Sequence, residues 1–334
     1  MYTCILVISY LGATMVVASG NNAAAGLTTG QLTSMFTFTT QILSALMMLS
    51  MVFVMITMSR SPMRRTTEIL TEEPELKDCD NPVMQVKDGS VDFDNVSFRY
   101  SKTADRYALE NINLHIASGM TVGILGGTGS SKSTLVQLIP RLYDVAQGSI
   151  RVGGVDVRNY DVKALRDAVS MVLQKNVLFS GTIRENLRWG NPDATDEEMV
   201  HACKIACADD FIRSFPEGYD THIEQGGTNV SGGQKQRLCI ARALLKKPKI
   251  LILDDSTSAV DTHTDASIRQ ALSGEIPETT KIVIAQRISS VENCDLIIVM
   301  DGGKIVDMGK HDELLKTSEI YREVYESQTK GAME

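Results

Sequence analysis

The sequence predicts an α/β fold with a parallel β-sheet, preceded by two helices that cross a membrane. Three observations support this prediction. A glycine-rich loop lies between an apolar strand and a helix, and further short apolar runs have the length of buried parallel strands. No charged residue occurs before Arg60, so the formal net charge of −8 belongs entirely to the rest of the 334-residue chain.

The uncharged N-terminal segment predicts an α-helical transmembrane hairpin over residues 1–58. It contains two apolar runs, residues 3–19 and 35–58, joined by a polar loop, and the second run is comfortably long enough to span a bilayer. Positive charges follow at once, at Arg60, Arg64 and Arg65. Such flanks stay on the cytoplasmic side, so we expect a multi-pass cell-membrane protein with both hairpin ends inside. A cleaved signal peptide is the alternative for the first run, although it lacks a positive N-terminal region.

The elements of the remainder predict a linker over residues 59–86 and a nucleotide-binding domain over residues 87–330. A short helix ends before Pro74, and a β region extends from Ser90 to Tyr100. The later elements are a strand at 121–125, a helix at 133–142, mostly helical structure at 195–247, and apolar strands at 250–253 and 282–285. The pattern predicts an α/β core with a helical insertion.

The composition argues against two classes of function. The acidic remainder has no basic tract, so nucleic acid is not expected as a partner. The six cysteines do not form the two ligand pairs, at metal-binding spacing, that a structural metal site needs. We therefore interpret them as small buried side chains of a protein in a reducing cytosol.

The glycine-rich loop predicts a site for a nucleoside triphosphate. It consists of Gly126, Gly127, Thr128, Gly129, Ser130, Ser131, Lys132 and Ser133, and Thr134 follows it. Successive backbone N–H groups of such a loop form an anion cradle at a helix N-terminus. Lys132 would reach the β- and γ-phosphates, and the Ser133 hydroxyl would ligate Mg²⁺. A dinucleotide site is excluded because a third glycine is missing at the required spacing.

Two further motifs follow in a fixed order. Ser231, Gly232, Gly233 and Gln234 open a helix, where a hydroxyl, two amides and the helix N-terminus can cap a γ-phosphate. An N-cap serine with flexible glycines would explain the helix start alone, but not its place just before the next strand. That strand ends at Asp254, whose carboxylate can hold magnesium directly or through water.

Together these motifs resemble the nucleotide-binding domain of an ATP-binding cassette (ABC) transporter, of the type IV exporter kind. The resemblance implies an α/β P-loop NTPase with a helical subdomain, which binds ATP and Mg²⁺. It also implies that Tyr100 stacks on adenine, that Gln174 links the γ-phosphate and the metal to the transmembrane part, and that residues 258–261 cross a dimer interface. In this family the signature, Ser231 to Gln234, completes the site of the other domain in the dimer.

Three positions depart from the family pattern. Asp255 stands where a Glu normally orients the attacking water, and its oxygens retreat by about 1.5 Å, one bond length. A misplacement of about 1 Å can cost around a hundredfold in rate. Gln286 stands where a His normally contacts the γ-phosphate, and Gln cannot carry a positive charge. Ser131 replaces a Gly, at a cost of about 1–2 kcal/mol if the position needs a positive φ; a tolerated serine is the alternative.

These departures predict a subunit that binds ATP well and hydrolyses it poorly at its own site. We expect a heterodimeric exporter, whose other half-transporter supplies Glu and His and uses the intact signature of this chain. Exporter halves of the family carry six spans, so we expect the two spans here to be the last pair of a longer chain. A non-hydrolysing regulatory subunit, a soluble ABC ATPase and a non-functional fragment are the alternatives. The transported substrate is not predicted.

Overall fold

The computed structural model describes residues 2–74, 76–255 and 260–330, and it divides into two compact units, residues 1–75 and 76–334. The helices of the first unit are α1 (Tyr2–Ser19) and α2 (Thr29–Leu70). Those of the second are α3 (Lys132–Gln137), α4 (Val162–Ala168), α5 (Ile183–Arg188), α6 (Asp196–Ile205), α7 (Asp209–Ser214), α8 (Gly232–Leu245), α9 (Thr262–Glu275), α10 (His311–Thr317) and α11 (Glu319–Lys330).

The strands all belong to the second unit. They are β1 (Val91–Phe98), β2 (Leu109–Ile116), β3 (Thr121–Gly126), β4 (Gln147–Val152), β5 (Val155–Asp156), β6 (Val169–Val172), β7 (Gly181–Thr182), β8 (His222–Ile223), β9 (Ile250–Asp254), β10 (Thr280–Ile284), β11 (Leu296–Asp301) and β12 (Lys304–Gly309). Within the described residues they form a mainly parallel sheet of order β12-β11-β3-β10-β9-β6, an antiparallel sheet of order β2-β1-β4-β5, and the pair β7-β8.

The first unit is a pair of apolar helices. Both helices are long and apolar enough to cross a membrane, with mean hydropathies of 1.7 and 2.2 in their most apolar windows. They pack closely at Gly12, where an added Cβ would lie 2.2 Å from a methyl carbon of Leu32. A small residue at a helix contact lets two backbones approach, as in membrane helix pairs.

Helix α2 runs without a break from the second apolar run to Leu70, so the short helix expected before Pro74 is its last part. The helix passes through Pro62, which lacks a backbone N–H and removes one internal hydrogen bond. Beyond the apolar run, Arg64 forms an ion pair with Glu68 at 2.9 Å. The two residues are one helical turn apart, and such pairs stabilise the exposed end of a helix.

The parallel sheet is covered on both faces. Ile250 and Ile252 of β9 point into a core shared with the antiparallel sheet and α3. Leu251 and Leu253, their alternate neighbours, point into a second core that contains α6, α8 and α9. Because alternate side chains of one strand enter two dry cores, the apolar runs form buried strands, as the sequence predicts.

The helix after the glycine loop is shorter than expected. Residues 133–142 were predicted as one helix, but α3 ends at Gln137. Pro140 explains the difference, because the residue before a proline is pushed out of the helical region. The backbone N–H groups of Leu138 and Ile139 accordingly bond three residues back, in tighter turns.

The helical insertion agrees with the expectation for residues 195–247 in its two long helices, α6 and α8, which pack on each other. Between α7 and α8 the chain instead forms a 3₁₀ turn and the short strand β8. The insertion is held by a buried carboxylate, since Asp209 accepts hydrogen bonds from Arg213 at 2.8 Å and from Tyr219 at 2.7 Å.

Candidate functional site

The candidate site is a cavity of about 380 Å³ at the carboxyl ends of β3, β9 and β10. Parallel strands bring their carboxyl ends to one edge of the sheet, where ligands of open α/β folds bind. The cavity is lined by Leu125, Gly126, Gly127, Thr128, Gly129, Lys132, Ser133, Gln174, Asp254, Asp255, Ile284, Gln286, Val299, Ile320 and Val324. The glycine loop, both carboxylates, Gln174 and Gln286 are therefore brought together as the sequence predicts.

The glycine loop encloses the lysine ammonium. Lys132 Nζ donates to the carbonyl oxygens of Gly126 and Gly127, both at 2.8 Å, and lies 3.2 Å from the Ser130 hydroxyl. Burial lowers the pKa of Lys132, and the negative charges of Asp254 and Asp255 oppose this effect. The ammonium is thus held at the loop mouth, where an entering phosphate could replace neutral carbonyls as its partner.

Two loop positions have special backbone requirements. Gly126 admits no side chain, because an added Cβ would lie 2.3 Å from the carbonyl oxygen of Met300. Ser131 has φ +69° and ψ 25°, the left-handed conformation, and its side chain makes no capping hydrogen bond to α3. The position therefore has the positive φ that the sequence analysis gave as a condition. A non-glycine residue in this conformation is strained by about 1–2 kcal/mol.

Asp254 and Ser133 form the oxygen pair expected of a magnesium site. Asp254 is buried, with 6% of its surface exposed, and burial raises its pKa, while a hydrogen bond from the Ser133 hydroxyl opposes the rise. Within the described ranges no group of three His, Cys, Asp or Glu side chains could hold a metal. Hard oxygen donors suit Mg²⁺, which keeps several waters and shares nucleotide phosphates, so Ser133, Asp254 and Gln174 fit this cation.

Asp255 connects the two glutamines of the site. Its Oδ2 accepts a hydrogen bond from Gln174 Nε2 at 3.1 Å and one from Gln286 Nε2 at 2.9 Å. Burial raises the pKa of Asp255, and these two hydrogen bonds oppose the rise. Its backbone is also left-handed, with φ +46°. Two of the three residues that depart from the family pattern, Asp255 and Gln286, are therefore direct hydrogen-bond partners.

Tyr100 lies beside the cavity and does not line it. Its hydroxyl is 2.9 Å from the hydroxyl of Thr134 in α3, and its ring packs edge-on against Phe98 and Tyr143. The residue is 57% exposed, so part of its side chain is accessible from solvent.

The signature residues lie outside the cavity. Ser231 is the N-cap of α8: its Oγ accepts from the Gln234 N–H at 3.2 Å, and its own N–H donates to Gln234 Oε1 at 2.9 Å. This reciprocal capping box leaves Ser231 and Gly232 exposed at the helix start. The segment 258–261 was expected at a dimer interface; Ser258 and Ala259 lie outside the described residues, and Asp261 is the N-cap of α9.

Helix α11 contributes residues that the sequence motifs did not identify. Ile320 and Val324, one turn apart, line the cavity. Their spacing of four is the available signal, because it places two apolar side chains on one helix face. The spacing alone does not predict that this face of the helix lines the cavity.

The fold and the glycine loop define a P-loop nucleotide-binding protein with a helical subdomain and an apolar helical region before it. Residues 109–258 match the family model described as ABC transporter. The chain belongs to the ABC transporter family.

Individual proteins are similar to this chain over most of its length. ABC transporter B family member 4 of Dictyostelium discoideum is 38% identical over 302 residues, which are 90% of this chain and 39% of that protein. The uncharacterized ABC transporter ATP-binding protein YfiB of Bacillus subtilis is 38% identical over 328 residues, 98% of this chain and 56% of that protein. A solved structure of a bacterial Atm1-family ABC exporter with ATP bound has a TM-score of 0.81 and 35% identity, and the match covers 97% of this chain and 57% of that one. The chain thus spans about half the length of the relatives that it matches.

Proposed function

We propose that this chain is the ATP-binding part of an ABC exporter subunit whose own site hydrolyses ATP slowly. The observation that carries the proposal is the hydrogen-bonded group of Gln174, Asp255 and Gln286 at the edge of a P-loop cavity. The cavity supplies what nucleotide binding needs, while the group at its edge lacks the longer carboxylate and the ionisable imidazole of an efficient hydrolytic site.

ATP binding rests on the glycine loop and its neighbours. The loop N–H groups and Lys132 would hold the phosphates, and Tyr100 would stack on the adenine with a contribution of about 1–3 kcal/mol. Ser133, Asp254 and Gln174 would hold Mg²⁺. When bound, the cation neutralises charge on the β- and γ-phosphates.

Slow hydrolysis follows from the chemistry of Asp255. Its Oδ2 accepts hydrogen bonds from two amide donors, which hold the carboxylate toward the glutamines. An Asp side chain is also shorter than a Glu side chain by one methylene, about 1.5 Å. A base misplaced by about 1 Å can lose around a hundredfold in rate. Gln286 can donate a hydrogen bond to the γ-phosphate but cannot add a positive charge there.

The exposed position of the signature supports the proposal of a partner subunit. Ser231 and Gly232 are exposed at the start of α8 and lie outside the cavity of their own domain. Since two copies of this chain would give two slow sites, we propose a heterodimer whose partner carries Glu and His and is completed by this signature. The apolar helices α1 and α2 would lie in the cell membrane, with the ATP-binding domain in the cytoplasm.

Restoration of the two altered residues tests the proposal. The full chain, reconstituted in lipid nanodiscs at a concentration that permits dimers, is expected to hydrolyse ATP slowly. Asp255→Glu combined with Gln286→His should raise the rate at saturating ATP by about ten- to a hundredfold, because base position and charge return together. The measurement is phosphate release.

The control is the same double variant with Lys132→Ala added. If ATP is hydrolysed at the restored site of this chain, this triple variant should release phosphate no faster than the unaltered chain. Fast phosphate release by the unaltered chain without a partner would refute the slow site. A double variant that binds ATP and shows no gain would favour a non-hydrolysing regulatory role.

A further inference from the structure

Helix α11 is fixed against the nucleotide-binding domain at its N-terminal end. Tyr321 is fully buried, and its hydroxyl is 2.8 Å from His311 Nδ1 in the preceding helix. Ile320 and Val324, on the same part of the helix, line the nucleotide cavity. The helix is therefore placed rigidly enough to hold a residue two turns further along at a defined position.

That residue is Gln328, which bonds to the segment that follows β10. Gln328 Nε2 donates to the carbonyl oxygen of Gln286 at 2.7 Å, and its Oε1 accepts from the Ile288 N–H at 2.9 Å. The amide orientation is fixed by its partners, because a carbonyl needs a donor and an N–H needs an acceptor. We call residues 286–290, which include Gln286 and a 3₁₀ turn, the switch segment.

The switch segment begins where the sheet stops holding the backbone. Strand β10 ends at Ile284, and the N–H of the following residue, Ala285, still donates to the carbonyl oxygen of Ile124 in β3 at 3.2 Å. Gln328 then supplies the next pair of backbone bonds, to Gln286 and Ile288. A two-point amide contact restrains this backbone in the manner of a short strand pairing.

The contact continues into the site through side chains. Gln286 donates to Asp255 at 2.9 Å, and Gln174 donates to the same carboxylate oxygen at 3.1 Å. One chain of hydrogen bonds thus runs from α11 through the switch segment to the residues expected at the γ-phosphate. We propose that Gln328 is a positioning residue, which sets the position of Gln286 against Asp255 from the C-terminal helix; this inference rests on the proposed function of the site.

The test compares amide hydrogen exchange in full-chain variants in nanodiscs. Gln328→Ala should raise exchange of the Ile288 amide about tenfold, the loss of roughly 1.4 kcal/mol of protection from one hydrogen bond. Exchange in residues 126–133 should not change. Ser327→Ala is the matched control, since Ser327 is the exposed neighbour on the same helix.

A second variant makes the contact titratable. In Gln328→Glu an ionised carboxylate faces the Gln286 carbonyl and repels it, whereas the protonated acid can donate to it again. At each pH, the amide exchange rate of the switch segment in the variant is divided by the rate in the unaltered chain. This ratio should fall toward one as the pH drops through the pKa of the carboxyl group, ordinarily about 4.3. A general loss of packing would show no such recovery.

The functional readout uses the Asp255→Glu, Gln286→His background. Gln328→Ala there should lower kcat about three- to tenfold and leave KM for ATP nearly unchanged, because the phosphates are held by the loop. Unchanged Ile288 exchange in Gln328→Ala would overturn the inference, as would increased exchange in residues 126–133 to the same degree. Absence of ATP binding to the unaltered chain would instead refute the proposed function, while the exchange data still decide the role of Gln328.

Discussion

At the scale of single residues, Ser131 lies in a left-handed conformation at the entrance of α3, with φ +69°. Ser131→Gly should relieve strain of about 1–2 kcal/mol, less the larger chain entropy of glycine, for a net gain of about 0.5–1 kcal/mol in the free energy of unfolding. The gain should appear as a higher midpoint of thermal unfolding.

The control for Ser131→Gly is Ser273→Gly. Ser273 is an exposed residue inside α9, where glycine lowers helix stability by about 0.5 kcal/mol relative to serine. The two changes should thus shift the unfolding midpoint in opposite directions. A loss of stability in both variants would show that Ser131 is not strained.

The residues of the site differ in how far the sequence alone could place them. Lys132 and Asp254 could be predicted to meet, because a loop and a strand end of one parallel sheet share an edge. The bond between Asp255 and Gln286 could not, since it depends on the register of β9 against β10, which pairs Asp254 with Ile284. The cost at Ser131 could be stated only as a condition, because φ is not readable from the sequence.

At the scale of elements, the turn that follows α5 approaches α8 at Gly190. An added Cβ there would lie 2.0 Å from the backbone carbonyl oxygen of Arg242, which no side-chain movement can relieve. Gly190→Ala should therefore lower the free energy of unfolding by about 2 kcal/mol or more. Gly274→Ala is the control, because Gly274 lies inside α9 with no atom near an added Cβ, so alanine should stabilise by about 0.5–1 kcal/mol.

The effect of both glycine substitutions is measured as the midpoint of thermal unfolding of the full chain. Opposite shifts of the unfolding midpoint are expected, and equal shifts would mean that the contact at Gly190 is not close. The same measurement on a second helix contact, at Gly12, would report on the apolar pair α1 and α2.

Elements were predictable where local chemistry decides them. The apolar run at β9 and the capping pair at the start of α8 are local signals, and both elements formed as expected. Helix α3 ends before the predicted residue 142, because Pro140, three residues past Gln137, disfavours helical backbone at the residue before it. The pairing of β1 with β2 and β4 was not predicted, since cross-strand register depends on distant residues.

At the scale of the whole molecule, the two nucleotide motifs have separate surroundings. The glycine loop lies in a cavity with both carboxylates, whereas the signature is an exposed helix start outside it. Under the proposed function, such a domain would bind ATP in its own cavity and would present the signature to another chain. The two functions should therefore be separable by mutation.

Ser231→Ala and Lys132→Ala are expected to separate them. In the unpartnered chain, at a concentration that keeps it monomeric, Lys132→Ala should weaken ATP binding by about ten- to a hundredfold, because a charge-assisted contact to phosphate is lost. Ser231→Ala should leave the Kd for ATP within about twofold, although loss of the cap lowers the free energy of unfolding by about 1 kcal/mol. Calorimetric titration with MgATP measures the first effect and thermal unfolding the second. Equal weakening of ATP binding by both changes would mean that one chain completes its own site, which would remove the need for a partner.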